Sequence, residues 1–212
     1  MGWAELCGRE RDSPAIVHDA PLHVSVRRFD RAGAVRLPFL SAMSMLGAND
    51  NETRSYLEFV DALRQYGAAP KEDMRTLWRR IVFSILISNT DDHLRNHGFL
   101  YAGPDGWRLA PAYDLNPVPT DIKPRVLTTA IDLEDGTASL ERAMEVAGYF
   151  ELDVKTARAI AAEVGQAVAA WRDVAAGQGL SRSEIDRLAS AFEHEDLQAA
   201  VKPRSSVGKP GR

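Results

Sequence analysis

Asn89-Thr90-Asp91-Asp92-His93-Leu94-Arg95-Asn96, followed downstream by Ala112-Tyr113-Asp114, is the stretch on which the reading of this 212-residue chain turns. A phosphoryl-transfer site needs an Asp to orient the acceptor hydroxyl, an Asn a few positions later for one Mg²⁺, and a second Asp downstream for the metal. Asp91, Asn96 and Asp114 have that order and spacing. Mg²⁺ takes hard oxygen ligands and keeps several waters, so an amide oxygen from Asn96 and a carboxylate from Asp114 suffice as the protein's share. Asp91 is then the proton acceptor, a role worth roughly 10²–10⁴-fold for a positioned base.

Each half of the pattern has a plainer reading. Asp and Asn after a buried helix commonly form turns or cap the next element. Ala112-Tyr113-Asp114-Leu115-Asn116-Pro117 reads equally well as a strand end turning at an Asx-Pro step. The two together, in this order and joined by a hairpin, are more specific than either alone. That hairpin is His97-Gly98-Phe99-Leu100-Tyr101 and Trp107-Arg108-Leu109-Ala110 around Gly103-Pro104-Asp105-Gly106. Antiparallel pairing returns the chain to its starting end and sets Asn96 beside Asp114.

Upstream, Leu22 to Phe29 alternates apolar and polar residues as a half-buried strand does. Leu37 to Leu46 is mixed in pattern and is not assigned. Ser55 to Leu63 has helical apolar spacing that ends before Gly67. Lys71, in a predicted loop, leads with Glu72 and Asp73 into a longer buried helix, Met74 to Ser88. Downstream of Leu140 the chain is Ala-rich and helical, with helices over Val154 to Ala176 and Ser183 to Phe192, and Val201 to Arg212 reads as a disordered tail. The fold class is mainly α with a small β-hairpin: a helical bundle, α+β overall.

Composition sets the bounds: 45% hydrophobic and 26% charged residues describe a globular chain able to bury a sizeable core. The 26 basic and 30 acidic residues leave a net charge of -4, so no global field favours nucleic acid or an anionic membrane, and direct nucleic-acid binding is not expected. Cys7 is the single cysteine and excludes an internal disulfide. The start of the chain has no signal-peptide apolar region, and Ile81 to Ile87 is far short of the roughly 20 residues of a spanning helix. A cytoplasmic location and no membrane association follow as expectations. His23, His93 and His97 lack zinc-site spacing, so no metal other than Mg²⁺ is anticipated.

The chain resembles the C-terminal part of HipA-type serine/threonine kinases, the toxins of bacterial toxin–antitoxin pairs. The resemblance lies in Val26-Arg27-Arg28-Phe29-Asp30-Arg31, in Arg36 to Ala48, in Asn89 to Leu100 and in Leu109 to Pro117. It implies a kinase-like C-lobe with ATP and Mg²⁺ as cofactors, Asp91 as catalytic base, and Asn96 and Asp114 as metal and cofactor ligands. Phe29 falls where the interlobe hinge meets adenine. Residues 1–30 are then a remnant of the N-terminal lobe and hinge strand, 31–200 the kinase lobe and 201–212 the tail. A HipB-like antitoxin partner and a protein substrate related to translation are implied as well.

His93 joins the cofactor-binding set, although from the residues alone it is a packed or capping histidine or a brace for the loop. Arg95 either neutralises phosphate or faces solvent. Lys123 and Arg125, where a substrate loop would run, and Tyr113, in an apolar pattern, receive no role. No Gly-rich phosphate loop and no strand-borne Lys precede the site, and Arg27 stands where the family commonly has Glu. The expectation is therefore a truncated kinase, weak or inactive alone. A non-catalytic binding module for an antitoxin or substrate, and the C-lobe of a split kinase, are the alternatives.

Overall fold

The computed structural model describes residues 16–20, 23–26, 28–133 and 135–202. Two small hairpins come first. Strand β1 (Ile16–Ala20) pairs antiparallel with β2 (His23–Val26), and β3 (Arg31–Ala32) pairs with β4 (Val35–Arg36). The strand anticipated over Leu22 to Phe29 is thus shorter, and it has a partner upstream that the pattern did not reveal. The 201–212 tail expected from composition lies, beyond Lys202, outside the described residues.

Strand β5 (Phe39–Ser41) leads into a one-turn helix, α1 (Ala42–Met45), capped by the Ser41 hydroxyl accepting from the Ser44 N–H. Helix α2 (Tyr56–Tyr66) starts where the Glu58 carboxylate accepts the Ser55 N–H at 2.9 Å, and it buries Tyr56, Phe59, Val60 and Leu63 on one face. Helix α3 (Pro70–Leu86) follows. Pro70 occupies its first turn, where no N–H is needed, so the helix begins four residues before the expected start and Lys71 belongs to it rather than to a loop.

Helix α3 is the axis of the molecule. Trp78, Ile81, Phe83 and Ile85 are fully buried, each worth about 1.5–3 kcal/mol against exposure. The Trp78 indole N–H finds the Ala143 carbonyl at 3.1 Å, which satisfies its polar edge inside the core. Against α3 pack α2, the helix α4 (Leu140–Val146), α5 (Val154–Ala169) and, after α6 (Trp171–Gly177) and α7 (Arg182–Phe192), which pack on each other, α8 (Glu195–Val201). The single helix expected over Val154 to Ala176 is two, broken at Ala170. Helices α5 and α8 approach closely at Gly165, where a Cβ would stand 2.7 Å from the Ala200 methyl.

The predicted hairpin is present as β6 (Gly98–Tyr101) and β7 (Trp107–Leu109), closed through Gly103 and Gly106 at positive φ. It is not alone. Strand β5 pairs with β6, Phe39 opposite Leu100 and Ser41 opposite Gly98, giving a three-stranded antiparallel sheet in the order β5-β6-β7. The sheet is tied to α3 by buried Asp73, whose carboxylate accepts the Leu109 N–H at 3.0 Å and the Arg108 Nε–H at 2.9 Å. No helix of the described residues is long and apolar enough to cross a membrane.

Candidate functional site

Helix α3 ends at Leu86 with Ile87 as its C-cap, and Ser88 at φ +53° turns the chain away from it. The Ser88 hydroxyl donates to the Ala191 carbonyl and accepts from Arg125 Nε, so this unusual backbone is held from two sides. Asn89 is buried. Its amide nitrogen donates to Ser84 Oγ, and its Oδ1 accepts the Asn116 N–H at 3.4 Å. That last bond ties the start of the acidic loop to the chain beyond Asp114.

Asp91 is exposed and Asp92 is 1% exposed, so the adjacent carboxylates do different things. Asp92 accepts from the Tyr56 hydroxyl at 2.5 Å and from the Thr128 and Thr129 backbone N–H groups at 2.8 and 3.3 Å. Its own carbonyl accepts from Thr129 Oγ1 at 2.7 Å. Burial pushes the Asp92 carboxyl up to about 6, against the hydrogen bonds that favour its ionised form. Burial also drives His97, beside it, down to about 3 and keeps that imidazole neutral. Asp92 is therefore the anchor of the loop, and Asp91 is left facing solvent.

A 3₁₀ turn, Leu94–Asn96, completes the loop. Asn96 Nδ2 donates to the Asp91 carbonyl at 2.9 Å, which leaves the amide oxygen as the atom Asn96 offers outward. His93 sits at the N-cap of this turn but makes no side-chain cap, and its buried Nδ1 has no hydrogen-bond partner. The bracing role considered for His93 belongs to Asp92. Arg95 forms an exposed ion pair with Asp50.

After β7 the chain runs Ala110 to Asp114 back along the loop. The Tyr113 hydroxyl donates to the Arg95 carbonyl at 2.6 Å, so Asn96 and Asp114 are each one residue from the two ends of a single hydrogen bond. This bond ties the segment after the hairpin back to the acidic loop. Asp114 is exposed and adopts φ +54°, and one carboxylate oxygen accepts from Asn116 Nδ2 at 2.8 Å. Its other oxygen and the Asn96 amide oxygen are of the hard-oxygen type that Mg²⁺ takes, and these are the residues that could hold such an ion.

The Tyr113 ring lies 5.6 Å from Phe29 and 6.4 Å from Phe39, and Phe29 lies 6.0 Å from Phe39. Phe29 was singled out in the sequence; Tyr113 and Phe39 were not, because neither stands in a pattern distinct from packing. Beside the loop a cavity of about 250 Å³ is lined by residues including Asp50, Arg54, His93, Arg95 and Thr129.

A helical lobe with a small antiparallel sheet, an acidic loop leaving its central helix and a second Asp returned to that loop by a hairpin defines a kinase-like C-terminal lobe. The family model described as the HipA-like C-terminal domain matches residues 1–171, and the chain belongs to that family. Among solved structures, the HipA of a Shewanella oneidensis MR-1 toxin–antitoxin system, solved in complex with HipB and its operator DNA, shares this fold with a TM-score of 0.68. At 17% identity that match covers 93% of this chain and 53% of the Shewanella chain. A Haemophilus influenzae protein named "Putative kinase" is 30% identical over 101 residues, 46% of this chain and 29% of that relative. The chain thus spans about half the length of the structure it matches.

Proposed function

We propose that this chain supplies the metal-binding and acceptor-activating lobe of a HipA-like serine/threonine protein kinase. The observation that carries the reading is the Tyr113–Arg95 hydrogen bond, which ties the segment carrying Asp114 to the acidic loop carrying Asn96, while the Asn96 amide nitrogen is engaged by the Asp91 carbonyl. Oxygen atoms of both side chains stay available for Mg²⁺. Bound Mg²⁺-ATP would supply the γ-phosphoryl group that passes to a Ser or Thr hydroxyl, with ADP leaving. Asp91, exposed beside the metal ligands, orients that hydroxyl and takes its proton. Phe29 and Tyr113 offer the adenine an aromatic wall, and the cavity beside His93 and Arg95 is where the acceptor segment enters. A translation-related protein substrate and a HipB-like partner belong to the same reading, the latter supported by the HipB that accompanies HipA in the Shewanella complex.

Calorimetric titration of Mg²⁺-ATP into the purified chain, with Asp114→Ala alongside, tests this. Saturable binding that requires Mg²⁺ and is lost in Asp114→Ala is the expected result. Absence of binding by folded wild-type protein would overturn the reading and leave a non-catalytic module for an antitoxin or substrate.

A further inference from the structure

Lys123 stands nine residues beyond Asp114 in the irregular segment that wraps the acidic loop. Its Nζ donates a 2.9 Å hydrogen bond to the Thr90 carbonyl, the group immediately preceding Asp91. Thr128 Oγ1 donates to the same carbonyl at 2.9 Å, so Thr90 is satisfied without the lysine. The segment does not need Lys123 for its placement either. Val118 N–H reaches the Ser88 carbonyl, Arg125 holds Ser88 Oγ, the Ile85 carbonyl and Asp196, and Thr128 N–H holds Asp92.

An ammonium has three donors, and the one bond above occupies a single one of them. Among the described residues no carboxylate pairs with Lys123, although it is half-buried. A partly desolvated cation with no counter-charge adds little to the fold. What it does add is a positive charge bonded to the residue immediately before the proposed base. Phosphoryl transfer is served by fixed cations at the equatorial oxygens of the moving group, where charge is spread in the transition state.

We propose that Lys123 is a further catalytic residue of this site, its free N–H groups donating to a non-bridging oxygen of the terminal phosphate of a nucleoside triphosphate. The inference rests on the kinase reading above. A lysine suits the task as a mobile point charge that can keep one bond to Thr90 and aim another at the phosphate. The proton on the acceptor hydroxyl still goes to Asp91; Lys123 stays protonated throughout and transfers nothing.

The test compares wild type, Lys123→Gln and Lys123→Arg in titrations with Mg²⁺-ATP and with Mg²⁺-ADP, each with its urea midpoint. Lys123→Gln should weaken ATP binding by about tenfold, the size of one charge-assisted hydrogen bond, while ADP binding changes less than about twofold. Lys123→Arg should recover most of the ATP affinity, and the midpoints should agree. Equal weakening for ATP and ADP, no weakening for either, or weakening that tracks a lowered midpoint would each overturn the assignment of Lys123 while leaving the site reading intact. Failure of wild type to bind either nucleotide would overturn both.

Discussion

The Tyr56 hydroxyl donates to Asp92 Oδ2 at 2.5 Å and so joins the first turn of α2 to the acidic loop 36 residues away. Asp92 ionises near 6 because of burial, and His97, whose Nε2 lies 3.3 Å from the Asp92 carbonyl, is held down to about 3 by the same burial with Arg80 adding repulsion. The two act on stability in opposite directions. Between the ordinary carboxylate value and 6 the folded protein holds the Asp92 proton more tightly than the unfolded chain, so stability falls as pH rises through that window. Between 3 and the ordinary histidine value the unfolded chain holds more protons, so His97 makes stability rise with pH over an overlapping range. The wild-type profile should therefore be shallow from about pH 4 to about pH 6. Asp92→Asn keeps an oxygen for the Thr128 and Thr129 N–H groups but removes one titration. Its urea midpoint should climb with pH more steeply than wild type; parallel profiles would show that Asp92 does not titrate there.

Asp73 performs a similar service for the sheet. Asp73→Ala leaves the buried Leu109 N–H without its acceptor, while Arg108 keeps Glu72 at 3.0 Å. The loss should be about 1–3 kcal/mol, set by the orphaned amide rather than by the half-exposed guanidinium. Denaturant unfolding measures it directly, and a change within about 0.5 kcal/mol, as at an ordinary surface position, would contradict the role.

The turn between β6 and β7 separates two glycines that look alike in sequence. Gly103 at φ +91° has open space where a side-chain methyl would stand, whereas at Gly106, φ +116°, a Cβ would lie 2.2 Å from the Tyr66 carbonyl oxygen. Gly103→Ala should lose about 1–3 kcal/mol through backbone strain alone. Gly106→Ala should lose clearly more, because the end of α2 must also move. Thermal unfolding of the pair gives the order, and equal losses would mean that the close approach is relieved without effort.

These particulars mark where sequence reading stops. The β6–β7 hairpin and helices α2 and α3 were legible because Gly-rich turn chemistry and apolar periodicity extend over enough residues to be distinctive. Strand β5 was not, since three residues carry no period. The break at Ala170 has neither Gly nor Pro to announce it, and α8 runs up to the composition change that read as a tail. At the site, the spacing of Asp91, Asn96 and Asp114 was readable, but nothing in Asp91-Asp92 says which carboxylate turns inward. That depends on Tyr56, Thr128 and Thr129, all more than 30 residues away. Tyr113 was hidden for the same reason: its partners Phe29, Phe39 and the Arg95 carbonyl come together only in the folded chain.

Tyr113 has two separable parts, and substitution can divide them. The hydroxyl, held at the Arg95 carbonyl, couples the Asp114 limb to the acidic loop; the ring stands beside Phe29 as an aromatic wall. Burial raises its phenol to about 12, so the hydroxyl remains a donor at every working pH. Tyr113→Phe removes the coupling but keeps the ring, and should lower Mg²⁺-dependent ATP affinity while leaving the Mg²⁺-free binding of adenosine unchanged. Tyr113→Ala removes both, and adenosine binding should fall as well, by roughly 5- to 150-fold if stacking on a base contributes about 1–3 kcal/mol. Equilibrium titration of the two variants with adenosine and with Mg²⁺-ATP separates the parts. Identical behaviour of Phe and Ala would mean that the ring does not meet the base, and the adenine would then have to lie elsewhere than against Phe29.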